Sequence, residues 1–254
     1  MRLCAVVPVY NHERAMAGTL AGLRAQGLTV IIVDDGSSGA CEAELRRLAA
    51  ADPHVRLVRL QENQGKGGAV MTGLAAAEEA GFTHALQIDA DGQHDPADLA
   101  KFIAAAAAEP QALICGEPRF DASIPRHRLY LRYLTHTMVW LNTLSFDIPD
   151  SMCGLRVYPL AVVLPVIEAE HPGRRMDFDV EILVRLHWRG ATMRWIPARV
   201  RYPQDGVSHF RLVKDNWLIT LMHTRLFLGM LRRSPALLAR RVRSALATAA
   251  GVHG

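Results

Sequence analysis

Short apolar runs alternate with stretches of helical apolar spacing through the first hundred residues. Four runs have the length and composition of buried strands: 3–9, 28–33, 55–60 and 82–88. The stretches of helical spacing between them are 14–26, 41–51 and 63–80. Strands that alternate with helices over short connections predict an α/β fold, with a doubly wound, mostly parallel sheet flanked by helices.

The second half of the chain continues this pattern less regularly. We predict helices over 97–108, 126–144 and 176–190, strands over 112–115 and 193–200, and a further strand and helix after residue 150. Pro197 cannot donate a ladder hydrogen bond, so its strand is expected at an edge of the sheet.

Residues 209–254 differ in character from the domain predicted over 1–208. Residues 217–231 are strongly apolar, and Pro235 begins a second, basic segment with apolar residues at helical spacing. We therefore predict a basic C-terminal extension of amphipathic helices. Such helices either lie in a membrane interface or pack on the domain and leave a solvated basic end, and the sequence leaves both interpretations open.

The charge is distributed unevenly along the 254 residues. Residues 1–100 carry a net charge of −5, whereas residues 201–254 carry +7. A basic tail on an ordinary domain favours an anionic partner. The chain has no zinc-ligand spacing, no arginine-glycine repeat and no interleaving of aromatic and basic residues, so we expect a membrane surface and no nucleic acid.

The four cysteines are scattered and form no Cys-X-X-Cys pair, which is typical of reduced thiols in a cytosolic protein. The chain begins directly with a strand pattern and has no signal-type segment or apolar run of membrane-spanning length. We expect a cytoplasmic location, with peripheral contact at the cytosolic face of a membrane.

Two carboxylates stand at the end of the fourth predicted strand. Asp89 and Asp91 are one residue apart, so on an extended chain they point to the same face, and Gln93 repeats the spacing. Paired carboxylates hold a hard divalent cation, Mg²⁺ or Mn²⁺, and leave sites for water and phosphate oxygens. The alternative is an acidic turn in which Asp95 caps the helix that Pro96 begins.

Other polar clusters also fall at predicted strand ends, at 8–11 and 34–38. Ligands of doubly wound sheets bind beyond the carboxyl ends of the strands. We therefore expect these clusters and the paired carboxylates to form one site.

Four motifs occur in a characteristic order: Pro8-Val-Tyr-Asn, Val33-Asp-Asp-Gly-Ser-Ser, Asn63-Gln-Gly-Lys-Gly and Asp89-Ala-Asp-Gly-Gln-His. Together they resemble the family 2 glycosyltransferases with the GT-A fold, especially the polyprenyl-phosphate branch of dolichyl-phosphate mannose synthase type. The resemblance covers about residues 1–200. It implies a metal-dependent, inverting transfer from a nucleotide-diphosphate sugar to a lipid or lipid-linked acceptor.

The resemblance also implies roles on the donor side. Asp35 or its neighbour would accept hydrogen bonds from base or ribose, Gly65 would allow close backbone approach, and Lys66 would meet phosphate or base. A plain turn and a solvent-facing lysine are the alternatives. The implied nucleotide-binding residues are Pro8, Tyr10, Asn11, Asp34, Asp35, Gly65, Lys66, Asp89 and Ala90. The implied metal ligands, which would neutralise the leaving diphosphate, are Asp89, Asp91 and Gln93.

On the acceptor side, residues 150–156 resemble a family segment in which Arg156 binds phosphate, although it also has Asp150 as a candidate partner. The predicted helix 126–144 carries three arginines that are candidates to bind an acceptor phosphate, unless they form only a basic surface. These are Arg126, Arg128 and Arg132. His209 falls where relatives often place a loop over the diphosphate, so it is a candidate to contact phosphate or metal; the alternative is a loop histidine with no special role.

An acidic segment begins the helix predicted after residue 176. Transfer to a hydroxyl needs a general base near the anomeric carbon, and Asp177 and Asp179 are our candidates, with Glu181 behind them. A phosphate acceptor is already anionic and needs no strong base. Acidic residues in a first helical turn also stabilise the helix dipole without any catalytic role.

Two other classes of protein are alternatives. A nucleotidyltransferase usually carries a glycine-rich basic segment after its first strand, where this chain has Pro8-Val-Tyr-Asn-His. A non-catalytic nucleotide-sugar-binding module would be favoured by an incomplete metal motif. A dinucleotide-dependent dehydrogenase is disfavoured because Gly-X-Gly-X-X-Gly does not follow the first strand.

Overall fold

The computed structural model describes residues 1–120, 126–201 and 211–251. Its seven strands form one sheet in the order β3-β2-β1-β4-β6-β5-β7. The strands are β1 (Leu3–Val9), β2 (Thr29–Asp34), β3 (Val55–Arg59), β4 (His84–Gln87), β5 (Leu113–Phe120), β6 (Arg156–Pro159) and β7 (Met193–Val200). Strand β6 runs antiparallel to both β4 and β5, and the remaining pairs are parallel.

Helices cover both faces of this sheet, which confirms the predicted fold class. They are α1 (Glu13–Ala25), α2 (Gly39–Ala51), α3 (Lys66–Glu79), α4 (Leu99–Ala108), α5 (Arg126–Thr143), α6 (Leu160–Glu170), α7 (Phe178–Trp188) and α8 (Leu212–Gly251). A short 3-10 helix, Pro96–Asp98, precedes α4, and Asp95 caps it as predicted by accepting from Ala97 N at 2.9 Å. Strand β7 lies at the sheet edge, as Pro197 indicates.

The central strands are apolar on both faces because each face of the sheet is covered by helices. In β1, Cys4 and Val6 face a core shared with α3, whereas Ala5 and Val7 face a second core shared with α1. The alternation along the strand thus supplies two hydrophobic layers. These layers fix the carboxyl ends of β1, β2 and β4 beside one another.

The predicted pair of C-terminal helices is one continuous helix, α8, so the break expected at Pro235 is wrong. Proline removes the N–H that would bond the carbonyl four residues earlier, here that of Leu231. Ser234 Oγ donates to that carbonyl at 2.9 Å instead, which replaces the missing donor. The boundary at 208 stays a prediction, since residues 202–210 lie outside the described chain.

Helix α8 packs on the domain through one face, against α5 and α7. Its buried apolar residues, among those described, are Met222, Leu226, Met230 and Leu237. Within the described residues, no helix combines the length and apolar character that crossing a membrane requires.

Candidate active site

The loops that follow β1 and β2 are joined by Asn11. Its side-chain oxygen accepts from Ser38 N at 2.7 Å, and its backbone N–H donates to Ser37 Oγ at 3.1 Å. Asn11 has a φ of +52°, a left-handed conformation that asparagine tolerates better than most residues. Pro8, which precedes it in β1, is buried, and Tyr10 is half-buried beside it.

The two aspartates at the end of β2 have separate roles. Asp34 is fully buried, accepts from Ser37 N at 2.9 Å and pairs with Arg59. Asp35 accepts from Gln64 N at 2.7 Å, from Gly65 N at 2.9 Å and from an asparagine amide. A carboxylate has about four acceptor positions, so Asp35 retains about one. Burial outweighs these hydrogen bonds and raises the pKa of Asp35.

The glycines before α3 allow close approach, but to another segment of this chain. A Cβ on Gly65 would lie 2.8 Å from Arg174 O, and one on Gly67 would overlap Phe178. The N–H groups of Gly67 and Gly68 donate to the carbonyls of residues 175 and 174. The close approach predicted for a nucleotide at Gly65 is thus made by residues 173–178, which bring α7 beside α3.

Lys66 joins two acidic residues that the sequence places far apart. Its ammonium lies 2.8 Å from the Asp89 carboxylate and 2.7 Å from Asp179 Oδ2. Burial lowers the pKa of Lys66, but the charges of Asp179 and Asp89 outweigh it and raise that pKa. Burial likewise raises the pKa of Asp89, and the Lys66 charge reverses the sign and lowers it. The alternative of a solvent-facing lysine is therefore wrong, because Lys66 is a counter-ion to two carboxylates.

The candidate metal ligands lie in a turn and not on an extended strand. Strand β4 ends at Gln87, and residues 90–92 turn, so the same-face argument from strand geometry is wrong. Asp89 and Asp91 still line one cleft, together with His94. Ala90 between them is buried.

Asp91 forms no ion pair within the described residues, which leaves its carboxylate available as a metal ligand. Gln93 N donates to it at 3.0 Å, whereas burial and then the charge of Asp89 raise its pKa. Two carboxylates are donors that suit a hard divalent cation, which also takes water and phosphate oxygens; Gln93 contacts Asp91 through its backbone N–H, and its amide oxygen stays a predicted ligand. Among the described residues, no group of three or more His, Cys, Asp and Glu side chains is placed to hold a metal. Substrate or water oxygens would have to complete the shell.

The acidic residues around the start of α7 are all engaged. Asp177 accepts from Arg175 N at 3.0 Å, and burial raises its pKa. Glu181 is fully enclosed, accepts from Gly173 N at 2.8 Å and pairs with Arg185 at 2.5 Å. Of these three acidic residues, only Asp179 directly contacts a predicted donor-site residue within the described chain, and that residue is Lys66.

Arg156 is buried and is not paired with Asp150, so that predicted alternative is wrong. Its guanidinium donates to Asp179 O at 2.9 Å, to Ser151 O at 2.8 Å and to Tyr158 Oη at 3.3 Å. With 1% exposure it has no surface for an acceptor phosphate. Arg156 therefore holds Asp179 in place and is not positioned to bind the acceptor.

Asp150 is held instead by Arg132, which was predicted to bind phosphate. Arg132 donates to both Asp150 oxygens, at 2.5 and 2.8 Å. Asp150 in turn accepts from the N–H groups of residues 152 and 153 and so shapes the loop leading to Gly154. A Cβ on Gly154 would overlap the Asp89 carboxylate. The side chains of Arg126 and Arg128, and all of His209, lie outside the described part of the chain.

Two buried polar residues behind this site, Gln87 and Tyr158, were not predicted from the sequence. Gln87 Nε2 donates to Asp179 Oδ1 at 3.2 Å, and Tyr158 Oη donates to Gln87 Oε1 at 3.1 Å. Both are fully buried. The available signal was their polarity within otherwise apolar strands, because a buried polar group must find a partner.

A mostly parallel sheet with paired carboxylates and a glycine-led lysine at its strand ends is the arrangement that the resemblance to GT-A glycosyltransferases predicts. The model of glycosyl transferase family 2 matches residues 4–164, and the chain belongs to that family. It is accordingly an enzyme of the hexosyltransferase type.

Curated relatives lie in the branch that the motifs indicated. The chain is 25% identical over 224 residues to the UDP-N-acetylglucosamine–dolichyl-phosphate N-acetylglucosaminyltransferase of Methanococcus voltae, covering 80% of this chain and 87% of the relative. It is 27% identical over 190 residues to the undecaprenyl-phosphate mannosyltransferase of Micrococcus luteus, covering 70% and 76%. The predicted resemblance is confirmed.

A solved structure shares the fold. The mannosyltransferase of Pyrobaculum calidifontis in complex with GDP-mannose and Mn²⁺ superposes with a TM-score of 0.56 at 19% identity, covering 99% of this chain and 80% of that one.

Proposed function

We propose that this protein transfers a sugar, with inversion, from a nucleotide-diphosphate sugar to the phosphate of a polyprenyl phosphate, with Mg²⁺ or Mn²⁺ as cofactor. The observation that carries the proposal is the Lys66–Asp89 contact, which joins the glycine-led loop to the paired carboxylates. Relatives named for dolichyl and undecaprenyl phosphate support the acceptor class.

On the donor side, Asp89, Asp91 and Gln93 would hold the divalent cation, which supplies positive charge for the leaving diphosphate. Lys66 adds a second positive charge at the same position. Both aspartates are buried, but Asp35 keeps about one acceptor position for a base or ribose donor, whereas Asp34 is paired with Arg59, so of the two we assign the nucleotide contact to Asp35. Tyr10 and Asn11 line the adjoining strand end.

The acceptor's charge decides which chemistry the acidic residues must supply. An oxygen of the acceptor phosphate attacks the anomeric carbon opposite the diphosphate; the new carbon–oxygen bond forms as the bond to the diphosphate breaks. Such an oxygen has no proton to lose, so no base is needed. Asp177, Asp179 and Glu181 all have internal partners, which favours a phosphate over a hydroxyl acceptor.

The surface of α8 supports a peripheral membrane contact for the lipidic acceptor. Opposite its packed face, large apolar residues are exposed at intervals of three, four or seven: Trp217, Leu221, Leu228, Leu231, Leu238 and Val242. The sequence after Asp215 contains six arginines and no acidic residue. An exposed apolar stripe with arginine flanks is suited to an anionic membrane interface, whereas pairing with a second copy would bring like charges together.

The test is a transfer assay with radiolabelled UDP- and GDP-sugars. Each is offered undecaprenyl phosphate, undecaprenol or no acceptor, with Mn²⁺, with Mg²⁺ or with chelator. We expect metal-dependent labelling of the phosphate lipid alone. Labelling of undecaprenol would favour the hydroxyl alternative and give Asp177 or Asp179 the role of base; no labelled lipid with any donor would contradict the proposal.

A further inference from the structure

A chain of buried hydrogen bonds runs from β6 to the site through residues that share one face of the sheet. Gln87 and Arg156 lie directly opposite each other in the β4–β6 ladder, and Tyr158 is two residues from Arg156. Because side chains alternate along a strand, all three point to the α3 and α7 side. They therefore lie between the sheet and Asp179.

The direction of these hydrogen bonds is fixed. Arg156 donates to Tyr158 Oη, Tyr158 donates to Gln87 Oε1, and Gln87 Nε2 donates to Asp179 Oδ1. Arginine has no acceptor and the tyrosine hydroxyl has one proton, so the order cannot reverse. Burial raises the pKa of Tyr158 to about 12, which keeps that proton in place. The Gln87 amide is consequently held with its NH₂ group toward the carboxylate.

The chain ends on the lysine of the donor site. Asp179 receives Gln87 on Oδ1 and the Lys66 ammonium on Oδ2, and Lys66 reaches Asp89 from there. Arg156 also donates to the backbone oxygen of Asp179, which fixes the carboxylate from a second point.

We propose that Arg156, Tyr158 and Gln87 are positioning residues that, through Asp179, set where the Lys66 ammonium lies beside Asp89. The effect on donor binding rests on the proposed function, whereas the effect on Lys66 itself does not. Loss of the Tyr158 hydroxyl leaves Gln87 Oε1 buried without a donor, so the amide loses its fixed orientation and the Asp179 carboxylate loses the hydrogen bond that Gln87 donates to it.

The sequence contains three lysines, which makes a direct test practical. Lys66 has a side-chain exposure of 16%, whereas Lys101 has 54% and Lys214 is exposed. The full chain is treated with limiting acetic anhydride, and the acetylation rate of each lysine is measured by mass spectrometry. Acetylation requires an accessible amine, so a lysine enclosed between two carboxylates reacts slowly.

We expect Tyr158→Phe and Gln87→Leu each to loosen the enclosure of Lys66 and so speed its acetylation about tenfold, while the rates of Lys101 and Lys214 stay unchanged. Thr143→Val is the matched control: it removes a buried hydroxyl in α5 that donates to Val139 O at 2.9 Å. It should alter none of the three rates.

Unchanged Lys66 acetylation in both variants, each shown to be folded by its thermal transition, would overturn the inference. A parallel rise at all three lysines would overturn it too, because it would reflect a loosened fold.

A second measurement ties the network to the donor site. Binding of Mn²⁺–UDP and Mn²⁺–GDP is measured by calorimetry for wild type, Tyr158→Phe, Lys66→Met and the double variant. We expect Tyr158→Phe to weaken binding about tenfold in the wild-type background and not at all in the Lys66→Met background. An equal loss in both backgrounds would contradict an action through Lys66. If wild type binds neither nucleotide, the proposed function fails while the acetylation result stands.

Discussion

At the residue scale, the site depends on opposite charges placed within hydrogen-bonding distance in a buried setting. Lys66 between Asp89 and Asp179 is the central example. Removing one member of such a group leaves a buried charge without a partner, which costs more than the net strength of the pair. The effect of a substitution here should therefore be compared with that of a matched substitution at a neighbouring residue.

Asp91→Asn should abolish metal-dependent turnover and leave the fold intact. Asparagine keeps the size of the side chain but removes the charge that a hard cation requires. The control is Asp95→Asn in the same loop, since asparagine caps a helix as well as aspartate does. Turnover is measured with and without chelator; retained metal-dependent turnover in Asp91→Asn would remove the metal assignment.

Gly154→Ala should lower turnover by about a hundredfold, because the new methyl group overlaps the Asp89 carboxylate and a displacement of about 1 Å is costly in an active site. Gly39→Ala is the matched control, since no atom lies within 4 Å of a Cβ there. Initial rates at saturating donor provide the comparison. Equal rates for both variants would show that the position of Asp89 is not critical.

The sequence predicted where the acidic residues lie but not their partners. Asp89 and Asp91 could be placed because a buried strand precedes them and ligands bind beyond strand ends. The contact between Gln87 and Asp179 spans 92 positions. No local pattern reports such a pair, since it depends on how β4, β6 and α7 pack. The pairing of Arg132 with Asp150 escaped prediction for the same reason.

At the element scale, α8 has two apolar faces with different surroundings. Leu226 is fully buried, whereas Leu228, two residues later, is 57% exposed. The sequence predicted both membrane contact and packing as alternatives. The structure shows the packed face, and membrane contact stays a prediction for the exposed face. Apolar spacing alone could not separate the two faces because both carry leucine at helical spacing.

Leu226→Ala should lower the free energy of unfolding by about 2–5 kcal/mol through loss of buried contacts, whereas Leu228→Ala should change it by less than about 1 kcal/mol. Binding to phosphatidylglycerol vesicles should show the reverse order. Chemical denaturation and vesicle sedimentation measure the two effects. Equal vesicle binding by Leu228→Ala and wild type would contradict a membrane role for the exposed face.

The contact between α5 and α8 should depend on pH through His223. Its ring lies 3.2 Å from the Asn142 amide, and burial lowers its pKa from 6.5 to about 4. The folded state therefore binds the proton less readily than the unfolded state. The stabilisation is fully present above about pH 6.5 and is lost as the pH falls toward 4.

His223→Gln should remove this part of the pH dependence, because glutamine does not titrate. The measurement is the free energy of unfolding of wild type and variant between pH 7 and about pH 4. Their difference should narrow as the pH falls. A constant difference would show that His223 is protonated equally in both states.

At the scale of the whole molecule, the acidic and basic regions of the chain lie in different parts of the fold. The acidic N-terminal region builds the strand ends of the site, and the basic C-terminal helix presents arginines and apolar residues outward. The α/β architecture was predictable because strand and helix alternate with short connections. The single long α8 was not, because apolar spacing does not report that the Ser234 hydroxyl replaces the donor missing at Pro235.

The most direct measurement is calorimetric binding of UDP and of GDP to the purified protein, each with Mn²⁺, with Mg²⁺ and with chelator. We predict binding of one nucleotide that requires the divalent cation, because Asp89 and Asp91 would otherwise oppose the diphosphate with like charge. Failure of folded protein to bind either nucleotide, or binding of equal strength in chelator, would contradict a metal-dependent donor site at the end of β4.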